Sequence, residues 1–205
     1  MRSAAEALST LTKLAQTPAV ALLASAFEAA GRELALVGGP VRDAFIGAEV
    51  HDLDFTTDAH PDDILAIVEP IAEAHWDIGR DFGTIGAQIA GEKVEITTYR
   101  ADAYDGQTRK PDVTFGDSLE ADLIRRDFTV NALAIRLPQL VLVDPTGGID
   151  DLVSRKLRAP QSATQSFDDD PLRMMRAARF ASQLDFELDE EVTDAMKNMS
   201  GRISI

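Results

Sequence analysis

The chain is 205 residues long and 45% apolar, which bounds it to one domain or to one domain with a smaller appendage. It contains no cysteine, so a disulfide framework and a thiolate metal centre are excluded. A formal charge of −15 excludes a protein that coats nucleic acid non-specifically, since that mode needs Lys and Arg to neutralise phosphates, but it leaves room for a local cationic site.

Residues 4–30 are alanine-rich, with Leu8, Leu11, Leu14, Leu22, Leu23 and Phe27 at helical spacing. Pro18 divides this stretch into two helices, and Gly31 suits the C-terminal cap of the second. Lys13 interrupts the early apolar pattern; no signal peptide or membrane span is read, and the cytoplasm is the expected compartment. Residues 33–37 read as a strand ending at Gly38 and Gly39, residues 41–46 as a short helix closed by Gly47, and residues 51–56 as a second strand with His51 at its end. A turn over 57–61 leads into a helix over 62–74. Residues 83–90 and 93–99 form a hairpin with its turn at Gly91-Glu92. Residues 100–122 are polar and aperiodic, a long loop of the kind that is usually functional or mobile inside a compact domain. A short helix or turn over 125–133, a hairpin over 134–137 and 140–143, and a turn over 144–148 follow. From about Phe167 the pattern is helical, with Asp168 to Asp170 and Pro171 marking a helix start. The change from mixed α/β to purely helical places a boundary near 155, between a head over 1–154 and the start of a helical part over 155–205.

The chemistry concentrates on Asp52 and Asp54. At positions i and i+2 of a strand both carboxylates project from one face, while Leu53 and Phe55 point into a core. Like charges at that spacing repel unless a cation lies between them. Mg²⁺, a hard cation that takes oxygen ligands and substrate phosphates, suits the pair. Two such ions about 3.5–4 Å apart can activate an attacking hydroxyl and stabilise a leaving pyrophosphate. Glu95, between Val94 and Ile96 on a predicted neighbouring strand, reads either as a third catalytic carboxylate or as an edge-strand charge. Gly38 and Gly39 let the backbone approach a ligand, and the helix N-terminus that follows attracts anions. Arg42, on that helix, can grip a phosphate oxygen with its guanidinium fork. Arginine is clustered at Arg125, Arg126, then Arg155, Lys156, Arg158, then Arg173, Arg176, Arg179, as a cationic lining or as solvated helix faces.

The run Gly38-Gly39-Pro40-Val41-Arg42-Asp43 followed by Asp52-Leu53-Asp54 resembles the nucleotidyltransferase superfamily that includes DNA polymerase β. Three later runs narrow this: Arg125 to Leu133 (RRDFTVNAL), Asp144 to Leu152 (DPTGGIDDL) and Asp169 to Phe180 (DDPLRMMRAARF). In this order they are similar to the bacterial class II tRNA nucleotidyltransferases, or CCA-adding enzymes, and to their close relatives the bacterial poly(A) polymerases. The resemblance spans roughly residues 34–186. It implies an α+β fold: a polymerase β-like head, with a mixed sheet flanked by helices, followed by a helical neck. It also implies that Gly39 and Arg42 contact the triphosphate, that Asp52 and Asp54 bind Mg²⁺, and that Arg126, Asp127 and Asn131 hold ribose and phosphate. By the same resemblance Asp170 and Arg173 read the base, one helical turn apart, with Arg176 and Arg179 completing the pocket. Cytosine and adenine both offer an exocyclic amine beside a ring-nitrogen acceptor, which a carboxylate and a guanidinium match. Guanine and uracil present oxygen there, which leaves two acceptors facing each other. The family pattern has Glu-Asp where this chain has Asp169-Asp170. Tyr99-Arg100 and Arg109-Lys110-Pro111-Asp112 resemble the family's flexible loop, associated with the switch from C to A addition.

The expected activity is template-independent addition of C, C and A to the tRNA 3′ end from CTP and ATP, with release of pyrophosphate. A poly(A) polymerase, and a truncated nucleotide-binding fragment with little tRNA activity, are the alternatives.

Overall fold

The computed structural model describes residues 1–50, 52–100, 115, 116 and 118–204. His51 and the loop residues Arg109, Lys110, Pro111 and Asp112 lie outside them.

Helix α1 (Ala4–Ala15) starts at Ser3, whose hydroxyl accepts the Glu6 N–H while the Glu6 carboxylate accepts the Ser3 N–H. Helix α2 (Pro18–Ala29) carries proline in its first turn, as the sequence predicts. Strand β1 (Leu34–Val37), helix α3 (Gly39–Ile46) and strand β2 (Leu53–Thr57) follow. Helix α4 (Pro61–Val68) stops short of the predicted 74. Pro70 accounts for this, because it brings no N–H to the helix and disfavours helical geometry in the residue before it. The released segment forms an edge strand, β3 (Ala74–Trp76). Strands β4 (Thr84–Ile89) and β5 (Glu92–Thr98) make the predicted hairpin.

Tyr99, expected at the mouth of the long loop, is instead fully buried and donates its hydroxyl to Glu33 Oε2 at 2.9 Å. Arg100 forms an isolated antiparallel bridge with Phe115. The predicted loop also ends early, in helix α5 (Leu119–Ile124), capped by the Ser118 hydroxyl. Arg125 closes that helix rather than opening one. A 3-10 turn (Thr129–Asn131), the hairpin of β6 (Ala134–Leu137) and β7 (Val141–Val143), and helix α6 (Gly148–Ser154) complete the first part.

The remainder is not purely helical. Strand β8 (Lys156–Leu157) precedes α7 (Ala163–Asp169) and α8 (Leu172–Leu184), then pairs in parallel with β9 (Glu187–Leu188) before α9 (Glu190–Met199). Strands of two residues are too short to leave a period in the sequence.

The main sheet has seven strands in the order β3-β4-β5-β2-β1-β6-β7. It is mixed, because β2 runs parallel to β5 and every other neighbouring pair is antiparallel. One face carries Leu53, Phe55, Ile85, Ala87, Ile89, Val94 and Ile96 into a core shared with Phe27, Ile64 and Val68. Burial of each such side chain is worth roughly 1.5–3 kcal/mol. The same core continues through Phe128 and Val130 to Phe167, Met174 and Phe180, so the second part is packed on the first. The opposite face of β4, β5 and β2 stays open and bears the polar residues. Among the described residues no helix is long and apolar enough to cross a membrane.

Candidate active site

β2 is a central strand, paired on both sides, and so it holds Asp54 rigidly. Asp52 lies just ahead of the strand rather than within it, yet both carboxylates line the same cavity, of about 690 Å³. Glu95 stands directly beside Asp54 in the β2–β5 register and lines the cavity too. Burial, then the charges of Glu95 and Asp52, push the Asp54 carboxyl up to about 6 against the opposing pull of Arg126. Such crowding is relieved by a cation. Among the described residues no three His, Cys, Asp or Glu side chains converge into a complete metal-holding group. The crowded Asp52, Asp54 and Glu95 carboxylates fit a divalent cation whose remaining ligands come from substrate phosphates and water.

Opposite the acids, Gly38 joins β1 to α3 with φ +74, a conformation that side-chain-bearing residues rarely adopt. The first-turn N–H groups of a helix have no partner within it and suit an anion. Arg126 Nη1 lies 3.6 Å from where a Gly38 Cβ would be, an ordinary contact distance, so the guanidinium sits against this turn and it is the positive φ that calls for glycine. Its Nε is buried without a hydrogen-bond partner among the described residues, a donor a phosphate can satisfy. Arg42 donates from Nη1 to Asn131 Oδ1 at 2.7 Å and from Nε to Asp43 Oδ1 at 2.8 Å. Asn131 Nδ2 in turn donates to Asp127 Oδ1 at 3.1 Å, and Arg176 Nε donates to Asp127 Oδ2 at 2.7 Å. One hydrogen-bonded chain thus ties α3 to α8 across the cavity wall.

The proposed base readers sit at the end of α7 and on α8. Asp170 is not on the same helical turn as Arg173; it lies ahead of α8 and its Oδ1 accepts the Leu172 N–H at 2.9 Å. It is therefore Asp170, not Asp168 or Asp169, that makes this turn-type bond at the helix start. Arg173 is held by Ser166 Oγ and the Arg125 carbonyl, each at 2.8 Å. Asp170 and Arg173, with Arg176 and Arg179, line the cavity that holds the acids.

Three residues here escaped the sequence reading. Asp122, fully buried, accepts from Arg125 and from Arg126 Nη2 (3.0 Å) and from the Arg100 N–H (3.1 Å). Burial would raise its pKa, but Arg126 and Arg125 outweigh it and hold the carboxyl below its ordinary range. Its signal was the acid three and four residues ahead of two arginines, legible once that segment is taken as a helix. Phe180 is ringed by the guanidiniums of Arg42, Arg176 and Arg179 at 5.4, 5.3 and 4.8 Å from its centroid. Ser166, which fixes Arg173, carries no signal in the sequence.

An acid pair at the head of a sheet strand, in one cavity with a glycine turn and an arginine-lined wall, fits a polyphosphate and a divalent cation. The chain belongs to the Poly A polymerase head domain family, whose model matches residues 34–158. It is similar to the CCA-adding enzyme of Lactobacillus helveticus (strain DPC 4571), with 43% identity over 172 residues, which is 83% of this chain and 42% of the relative. Among solved structures it is similar to the Bacillus stearothermophilus CCA-adding enzyme in complex with CTP, at TM-score 0.76 and 37% identity, over 86% of this chain and 42% of that one. A CCA-adding enzyme solved with ATP matches at TM-score 0.71 and 29% identity, over 87% of this chain and 41% of that one. The chain thus spans about two fifths of the length of the curated relatives it matches.

Proposed function

We propose that the chain is the catalytic portion of a tRNA nucleotidyltransferase that adds C, C and A to the tRNA 3′ end from CTP and ATP without a nucleic-acid template. One observation carries this reading: Asp52, Asp54 and Glu95, the glycine turn at Gly38 and Gly39, and Asp170 with Arg173 all line one cavity. Asp52 and Asp54 would hold Mg²⁺, which when bound supplies Lewis-acid stabilisation to the phosphates; Glu95 adjoins them as the third carboxylate. The turn at Gly38 and Gly39, with Arg42 and Arg126, grips the triphosphate. Asp127 and Asn131 orient the ribose and its phosphates. Asp170 accepts from the exocyclic amine of cytosine or adenine and Arg173 donates to the ring nitrogen, with Arg176 and Arg179 closing the pocket. The RNA 3′-oxygen forms its bond to the α-phosphorus, the bond from that phosphorus to the bridging oxygen breaks, pyrophosphate leaves with the electron pair, and the hydroxyl proton passes to water.

The structures of similar enzymes with CTP and with ATP support the choice of nucleotides. The test is the product formed on tRNA lacking its terminal CCA, with CTP, ATP and Mg²⁺. A discrete extension by three nucleotides is expected. A ladder of A would mark a poly(A) polymerase, and CTP binding without any extension would mark a nucleotide-binding module.

A further inference from the structure

Strands β3, β4, β5 and β2 share one continuous rung. Trp76 pairs with Gly86, Gly86 with Glu95, and Glu95 with Asp54. Residues opposite one another in register project from the same face. An indole, a bare glycine and two carboxylates therefore lie in line across the sheet. The glycine has a steric cause: a Cβ on Gly86 would fall 1.9 Å from Trp76 Nε1 and 2.1 Å from Cε2. The pyrrole side of the indole fills the space above Gly86 and leans along the rung towards the acids. Trp76 is the chain's single tryptophan, yet it is only half buried and lies outside the hydrophobic core.

Beside it is a second cavity, of about 730 Å³. Asp52, Asp54 and Glu95 form a wall common to both cavities. Gly38 and Arg126 line only the first, and Trp76 and Lys93 only the second. Displacement at phosphorus brings the attacking oxygen in line with the leaving group, from the opposite side. With the triphosphate on the glycine side, the attacking oxygen comes from beyond the acids, which is where the second cavity lies.

We propose that this second cavity receives the terminal nucleoside of the acceptor RNA, its base stacked on the Trp76 indole and the preceding phosphate near Lys93. The assignment rests on the nucleotidyl-transfer reading above. A nucleoside is uncharged and can lie beside the carboxylates, where a phosphate would be repelled. Lys93 is the one cation among the described residues that line this cavity. Stacking also fits the chemistry of stepwise addition. The terminal base changes with each nucleotide added, and an aromatic face accepts every base, whereas a hydrogen-bonding site would reject some.

The lone tryptophan is a built-in reporter. A tRNA minihelix lacking CCA should change the emission of the protein saturably, whereas CTP with Mg²⁺ should leave it unchanged. Trp76→Ala should raise the KM for minihelix about tenfold, the lower range of what one stacked base contributes, with the KM for CTP unchanged; Trp76→Phe should recover most of the loss. If the parent protein extends the minihelix while its emission stays constant and Trp76→Ala keeps the parental RNA KM, the stacking site is wrong and the nucleotidyl-transfer reading stands. If the parent protein fails to extend the minihelix at all, that reading falls and this inference falls with it.

Discussion

Asp54 is held where its charge is unwelcome. Its folded-state pKa is raised from 3.8 to about 6, so folding favours the protonated form. The ionised carboxylate costs stability above pH 6, and the cost fades as pH falls from about 6 towards 3.8. Asp54→Asn should therefore melt higher than the parent at neutral pH in metal-free buffer. A gain of about 1–3 kcal/mol is expected, or several degrees in Tm for a chain of this size. The same variant should lose nucleotide incorporation, as should Asp52→Ala with its fold intact. A variant that melts lower than the parent, or extends tRNA at the parental rate, would refute this role. Ser166 lies behind Arg173, whose guanidinium it holds through a hydrogen bond to its hydroxyl, and on the proposed reading acts on the base only through that residue. Ser166→Ala removes one hydrogen bond to a charged group, about 1.5–3 kcal/mol at most. Preference for CTP over UTP should fall by roughly tenfold while kcat for CTP changes little. Equal loss of kcat for both nucleotides would make Ser166 a purely structural residue.

Elements with a strong local cause were legible in the sequence. Pro18, the glycine turn at 38 and 39, and the hairpin about Gly91 all fall where the residues place them. Asp54 and Glu95 were readable as strand residues near one another, but the parallel β2–β5 register that sets them side by side is a property of the fold, and Asp52 falls just ahead of β2, where alternation no longer applies. What escaped depends on distant partners. Helix α5 is six residues long, and its sequence shows too little period to announce it. Asp122 within it is the buried hub that joins Arg125, Arg126 and the Arg100 backbone to the Thr56 hydroxyl of β2. Asp122→Ala should lower stability by about 3–5 kcal/mol, since it removes the buried carboxylate that two guanidiniums and the Arg100 N–H share. The sign of its pH dependence follows from its lowered pKa: the contribution is complete above 3.8 and is lost as pH falls below that value. Urea denaturation at descending pH should show the parent losing this increment and the variant showing no such loss.

At the scale of the whole molecule, net charge and local charge point in opposite directions. A chain at −15 still lines its cavity with arginines: Arg42 on α3, Arg125 and Arg126 just after α5, and Arg173, Arg176 and Arg179 on α8. Random single-stranded RNA should therefore bind weakly, with a shallow dependence of log K on log salt, because few phosphates are neutralised. Tight, steeply salt-sensitive retention of such RNA would contradict this. The sequence revealed both halves of the cavity but not how they close on each other. That closure depends on the Asp127–Arg176 contact and on Phe180 beneath three guanidiniums, none of which a local pattern discloses.

On the proposed reading, the acids for bond exchange sit on or beside the strands of the sheet, and the groups that tell one letter from another sit in the α7–α8 corner, far later in the chain. The engine and the alphabet are therefore separately heritable. Drift in that corner can alter which monomers are accepted while the reaction itself runs on unchanged strands, so one ancestral scaffold can give rise to enzymes that write different endings.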